Sequence, residues 1–315
     1  MKVIFMGSPD FAVPCLDMLI REYNVVAVVT QPDRPKGRGG KISATPVKDR
    51  ALSAGIPVLQ PVSIKEPEVI EQIRSLTPDI IITAAYGQII PPAILDIPKF
   101  GCINVHASLL PKYRGASPIH WSIINGEEET GITIMLMDEG MDTGDILLQS
   151  RLSIGRDETA GQLHDRLSQL AVDTLKKAVE GIQRGTIVPI PQDHDKATYC
   201  PKLDKSMGAI DWSKSPRDVK NLVRGLNPWP GAYTYYKNNM VKIWNVNIID
   251  IGKNKDKGGT IIKANSKEGI WVAAGDGIIE IKDMQVAGSR RMDSRQYMMG
   301  HHWDVGEILT GKIIE

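Results

Sequence analysis

Asp79-Ile80-Ile81-Ile82-Thr83 sets three isoleucines and a threonine in unbroken succession, and this run decides how the chain folds. Successive strand residues point to opposite faces, so an apolar side chain at every position suits a strand covered on both sides. Val3-Ile4-Phe5-Met6, Val25-Val26-Ala27-Val28-Val29 and Cys102-Ile103-Asn104-Val105 read the same way. Helical spacing lies among them over 11–21, 47–54 and 67–76. Strands that alternate with helices predict an α/β fold: a doubly wound, mostly parallel Rossmann-like sheet. Strand-like runs over 131–137 and 146–154 and a long amphipathic helix over 159–182 complete this half.

Further on, residues 184–206 are rich in Pro, Asp and Thr and show no period, as a linker would. A helix is expected near 216–226. Short runs then follow at Val241-Lys242-Ile243-Trp244, Thr260-Ile261-Ile262, Gly269-Ile270-Trp271-Val272 and Gly277-Ile278-Ile279-Glu280-Ile281, separated by Gly- and Lys-rich turns. That spacing suits a small β-barrel. The expected organisation is a first domain over 1–190, a linker over 191–206 and a second domain over 207–315.

At 315 residues the chain is long enough for two such domains. Its 42% hydrophobic and 24% charged residues sit close to globular averages and favour neither a disordered nor a fibrous class. The first apolar run is too short for a signal peptide, and no run approaches the roughly 20 apolar residues of a membrane helix. The three cysteines, Cys15, Cys102 and Cys200, lie far apart without Cys-x-x-Cys spacing, so a disulfide framework is not expected and a reducing cytoplasm fits. Residues 205–315 hold 17 Lys+Arg against 12 Asp+Glu, a net of +5, whereas the remainder nets −4. The basic tail is weak evidence for a polyanionic partner, because solvated surfaces carry such a balance too.

Dinucleotide and ATP chemistry lose their signatures. Gly7-Ser8-Pro9-Asp10-Phe11 follows a strand but lacks G-x-G-x-x-G, and Pro9 removes an amide that a pyrophosphate cradle would use. There is no G-x-x-x-x-G-K-[ST] loop. Adjacent His301 and His302 cannot share a helical face as metal ligands do, and the acidic stretch 137–145 lacks calcium-loop spacing, so no metal is assigned.

Open α/β sheets place their sites at the carboxyl ends of strands, where Asn104-Val105-His106-Ala107-Ser108-Leu109-Leu110-Pro111 falls. Residues i and i+2 of a strand project together, so an amide and an imidazole face one pocket if the strand reaches His106. Any of the acids in Met137-Asp138-Glu139-Gly140-Met141-Asp142-Thr143-Gly144-Asp145 suits as partner to the imidazole, and a plain hairpin turn explains that stretch equally. The segment 32–41, with Arg34, Lys36, Arg38 and Lys41 among glycines, is either a solvated connector or a probe for phosphates and base edges. Trp229, in Asn227-Pro228-Trp229-Pro230, reads as a buried aromatic at a domain junction.

Gly7-Ser8-Pro9-Asp10-Phe11-Ala12, Gln31-Pro32-Asp33-Arg34-Pro35, Ala85-Tyr86-Gly87-Gln88-Ile89-Ile90-Pro91, Asn104 through Gly115, Asp142-Thr143-Gly144-Asp145 and Asn227-Pro228-Trp229-Pro230 resemble the signatures of the folate-dependent formyltransferases, over nearly the whole chain. A threonine is more usual where Ser8 stands. The 108–115 segment marks the wider superfamily, while the basic loop and tail point to members that act on a tRNA. The resemblance implies that Asn104, His106 and Asp142 are the catalytic set and that Ser108, Leu109, Leu110 and Pro111 line the folate site. It also implies that Lys36, Arg38 and Lys41 meet tRNA and that the carboxyl-terminal domain is an OB-like, tRNA-holding barrel. The donor would be 10-formyltetrahydrofolate and the acceptor the α-amino group of methionine on initiator tRNA, giving the formylated tRNA that starts translation. A cytoplasmic monomer without a metal is expected.

The chemistry this implies is direct transfer. The amine attacks the formyl carbon, an oxyanion forms, and Asn104 and a His106 imidazolium donate to it while Asp142 orients His106 and helps move protons. Two rivals remain: a formyltransferase for amino-sugar nucleotides, which has no need of the basic loop, and a catalytically silent tRNA- or folate-binding module, against which the intact Asn104, His106 and Asp142 speak.

Overall fold

A computed structural model describes residues 1–36, 41–252 and 254–312. The chain divides into two compact units. The first contains 1–118, 129–153 and 164–200; the second contains 119–128, 154–163 and 201–315.

The first unit is built on a seven-stranded sheet. In chain order its strands are β1 (Lys2–Gly7), β2 (Asn24–Val29), β3 (Val58–Leu59), β4 (Ile80–Ala84), β5 (Cys102–His106), β6 (Glu129–Leu136) and β7 (Ile146–Ser153), and their spatial order is β7-β6-β5-β4-β1-β2-β3. The first five pair in parallel, and β6 and β7 run antiparallel at one side. Ile80, Ile81 and Ile82 are all fully buried. Neighbouring residues face opposite sides, so both faces of β4 are covered, which the unbroken apolar run requires. Each such side chain contributes about 1.5–3 kcal/mol by leaving water. The chain reverses its winding at β1 and β4, opening a crevice at their carboxyl ends beside the end of β5.

The helices start where their first residues dictate. Helix α1 (Val13–Glu22) buries Cys15, Leu16, Met18 and Leu19 at helical spacing. Helix α2 (Pro46–Ser53) has proline in its first turn, where the missing N–H costs nothing, and Thr45 as a cap accepting from the Lys48 amide at 3.1 Å. Helices α3 (Pro67–Ser75) and α4 (Ala160–Arg184) match their expected spans closely. None of the described helices is long and apolar enough to cross a membrane.

Two features of this unit differ from expectation. The basic segment is not an open loop throughout: Arg34–Lys36 and Lys41–Ser43 pair as short antiparallel strands, with Lys36 opposite Lys41. The stretch expected as a linker, 191–206, divides at Cys200, and its first part packs within the first unit. There Tyr199–Cys200 pairs with Arg114–Gly115, and just before the stretch Ile190 bridges Ile146. Hydrogen bonding of this backbone, rather than any apolar period, holds it, so no sequence pattern announced it.

The second unit is an antiparallel sheet of β8 (Ala232–Tyr236), β9 (Asn239–Asp250), β10 (Ile261–Asn265), β11 (Gly269–Ala274) and β12 (Gly277–Val286), in the order β8-β9-β12-β11-β10, with Met292–Asp293 also pairing on β12. Residues 308–310 bridge both edges, Tyr235 to Thr310 and Thr260 to Ile308. In β9, Val241 and Ile243 are buried and so is Val246, a change of parity. Register shifts against β12 around Asn245 supply the extra residue that turns the strand over. Helix α5 (Pro216–Gly225) is capped by Ser215 and buries Val219 and Val223 in the same core as Ile279 and Ile281. Trp229 is 51% exposed, which corrects its reading as a buried aromatic.

Candidate active site

Strand β5 continues to His106, so Asn104 and His106 share a face at its carboxyl end. Asn104 lies opposite Thr83 of β4, and Thr83 Oγ1 donates to Asn104 Oδ1 at 2.8 Å. A hydroxyl donor on the amide oxygen leaves Asn104 Nδ2 as the outward donor, directed to Asp142 Oδ1 at 3.4 Å. His106 is buried, and its Nε2 lies 2.8 Å from the Tyr113 carbonyl. A carbonyl only accepts, so Nε2 carries a proton and donates it to Tyr113. Nδ1 stands 3.7 Å from Asp142 Oδ2. His106 has thus spent its Nε2 proton on Tyr113, and of the two donors expected for an oxyanion Asn104 is the one whose orientation a neighbour sets.

Asp142 stands on the turn joining β6 to β7, in the left-handed region at φ 54°. A non-glycine residue there costs about 1–3 kcal/mol and needs surrounding contacts to hold it. Its Oδ2 accepts from the Gly115 amide at 2.8 Å. Gly115, at φ 114°, has no room for a side chain, since a Cβ would lie 2.6 Å from the Cys200 carbonyl oxygen. Among the neighbouring acids, Asp138 is spent within the turn, accepting from the Gly140 amide at 3.0 Å and Thr143 Oγ1 at 2.6 Å.

Of the expected folate-lining residues, Ser108 and Leu110 are buried and their polar atoms are used internally. Ser108 Oγ donates to the Lys112 carbonyl at 2.6 Å, Thr133 Oγ1 bonds both the Ser108 carbonyl and the Leu110 amide, and Gln149 Nε2 donates to the Leu110 carbonyl. Leu109 and Pro111 remain partly exposed. Arg38 lies outside the described residues, as do the side chains of Lys36 and Lys41. Among the described residues, no cluster of three or more His, Cys, Asp or Glu is placed to hold a metal.

The site also contains residues that sequence reasoning passed over. Arg114, 1% exposed, directs Nε and Nη2 to Gln192 Oε1 at 3.2 and 2.7 Å, and Nη2 to His194 Nδ1 at 3.2 Å. Gln192 fell inside the expected linker, where nothing in the pattern singles out a glutamine. Burial pushes the Cys15 and Cys102 thiols up to about 12 and raises Cys200 as well, so none offers a thiolate nucleophile at neutral pH.

Residues 1–179 match the Formyl transferase family and residues 202–302 the Formyl transferase, C-terminal domain. The methionyl-tRNA formyltransferase of Acetivibrio thermocellus is 53% identical over 310 residues, covering 98% of this chain and 99% of its own. The protein of the same name from Ruminiclostridium cellulolyticum is 54% identical over 311 residues, again with 98% and 99% coverage. Among solved structures, an N-formyltransferase from Helicobacter canadensis, in complex with folinic acid and dTDP-3-aminofucose, superposes with a TM-score of 0.66 at 19% identity, covering 93% of this chain and 100% of its own. At such low identity it speaks to the fold alone. The full-length similarity decides the family: the chain belongs to the methionyl-tRNA formyltransferases.

Proposed function

We propose that the protein transfers the formyl group of 10-formyltetrahydrofolate to the α-amino group of methionine on initiator tRNA, as a cytoplasmic monomer without a metal. The full-length similarity to relatives named for this activity carries the reading. Intact Asn104, His106 and Asp142 support it. The amine lone pair attacks the formyl carbon, and the bond from that carbon to the folate nitrogen breaks. One proton leaves the amine and one reaches the folate nitrogen.

Asn104 Nδ2 donates to the oxyanion of the tetrahedral intermediate. His106 Nδ1 and the Asp142 carboxylate accept the proton the amine loses and return it to the departing nitrogen. Leu109 and Pro111 offer apolar surface to the folate. Lys36, Arg38 and Lys41 contact tRNA phosphates, helped by the basic residues of 201–315. Residues up to Cys200 carry the transfer chemistry. To test this, purified protein is incubated with 10-formyltetrahydrofolate and either initiator Met-tRNA or an amino-sugar nucleotide, and folate release is followed. Release only with Met-tRNA is expected; release only with the sugar nucleotide, or none, refutes the reading. His106→Ala is expected to abolish transfer while tRNA binding persists.

A further inference from the structure

Gln192 is buried, and its amide joins two elements. On one side Oε1 accepts from both Arg114 donors. On the other, Nε2 donates to the carbonyl of Asp142 at 2.9 Å and of Gly144 at 2.7 Å. Arginine only donates and carbonyls only accept, so this amide has one permitted orientation and every one of its four contacts is satisfied. The carbonyl it grips is that of the residue held at φ 54°. The anchor is equally firm, because Arg114 adjoins the two residues that touch the catalytic side chains: Tyr113, whose carbonyl accepts from His106, and Gly115, whose amide donates to Asp142.

We infer that Gln192 is a positioning residue for formyl transfer, a brace from Arg114 that holds the Asp142 turn so that its carboxylate faces His106 Nδ1. It acts through Asp142 and contacts neither substrate. Side-chain hydrogen bonds fix a main-chain conformation here that the residue itself disfavours. Without the brace the turn relaxes and the carboxylate leaves the imidazole. This inference rests on the proposed transfer, so one of its readouts must not need turnover.

Two variants separate the roles. Gln192→Met keeps size and charge but removes every hydrogen bond. Gln192→Glu keeps an acceptor for Arg114, and so the anchor, while setting oxygen against the two carbonyls. In both, kcat per folded molecule should fall about 10- to 100-fold, the scale of an ångström-level misplacement, with KM for both substrates within about twofold. The His106 imidazole titration, followed by NMR, should move from the parent's in the neutral Gln192→Met variant; should that variant not fold, kcat of Gln192→Glu carries the test, and with an inactive parent the imidazole titration of Gln192→Glu does. A folded Gln192→Glu with the parent's kcat, or a folded Gln192→Met whose imidazole titration superposes on the parent's, overturns the inference. A parent without turnover would sink the functional reading instead, leaving the titration to decide the brace.

Discussion

Gly144→Ala should disable the enzyme although Gly144 has no side chain to contribute. A Cβ at this position would lie 1.8 Å from the Leu136 carbonyl oxygen, 2.9 Å from its carbon and 3.2 Å from the Asp138 amide nitrogen. All three are backbone atoms of the opposing arm of the same turn. Real Cβ contacts essentially never fall below 3.0 Å, so the arms must part by at least 3.0 − 1.8 = 1.2 Å. Asp142 lies two residues away, and the Gln192 bond to the Gly144 carbonyl is at the point of strain. A misplacement on the order of 1 Å costs about 10² in rate, or roughly 2.7 kcal/mol of transition-state stabilisation. The clash itself should cost about 1–3 kcal/mol of stability. Gly140→Ala is the control: its Cβ would meet Thr143 Oγ1 at 2.0 Å, a side-chain atom that can turn aside at the loss of its bond to Asp138 while the backbone stays in place. Single-turnover formyl transfer at saturating substrates, with circular dichroism to confirm folding, measures both. Gly144→Ala should be at least tenfold slower than Gly140→Ala. Equal rates would refute the argument that backbone contact at Gly144 sets the position of Asp142.

Asn104→Ala should lower kcat by about 10² to 10³, the usual cost of one oxyanion donor, in steady-state assays; a smaller loss would remove Asn104 from that role. Arg38→Ala should weaken tRNA binding and lower the salt dependence of log Kd by about one unit, read from filter binding across a salt series. An unchanged slope would mean that Arg38 meets no phosphate. Since burial lifts Cys15 and Cys102 to about 12, both stay neutral below that pH and should resist iodoacetamide at pH 8 in the folded protein, reacting only on unfolding. Mass spectrometry after brief labelling checks this, and rapid native labelling of either would contradict the burial.

Much of the fold was legible because it rests on short-range patterns. Runs of β-branched residues marked β1, β2, β4 and β5, and helical spacing marked α1, α2, α3 and α4. The pairing of Asn104 with His106 followed from strand parity alone. The choice of Asp142 did not follow from parity, since four acids crowd one turn; the family resemblance implied it, and the folded backbone shows Asp138 consumed by Gly140 and Thr143 while Asp142 reaches Gly115. The course of 191–200 was not legible, because side-chain and backbone hydrogen bonds such as those of Gln192 and Tyr199–Cys200 leave no period in the residues.

The sequence by itself determined the strand-helix alternation, the second β unit, the face shared by Asn104 and His106, and through its signatures the family. The first three are consequences of side-chain polarity and chain geometry acting over a few residues; the family follows from resemblance of motifs. Only the tertiary structure decided how Asp142 is held beside His106, that the His106 Nε2 proton goes to Tyr113, and that Arg114 and Gln192 grip the Asp142 turn. Each of these joins residues far apart in the chain through directional bonds, and no local pattern records where a distant donor will point.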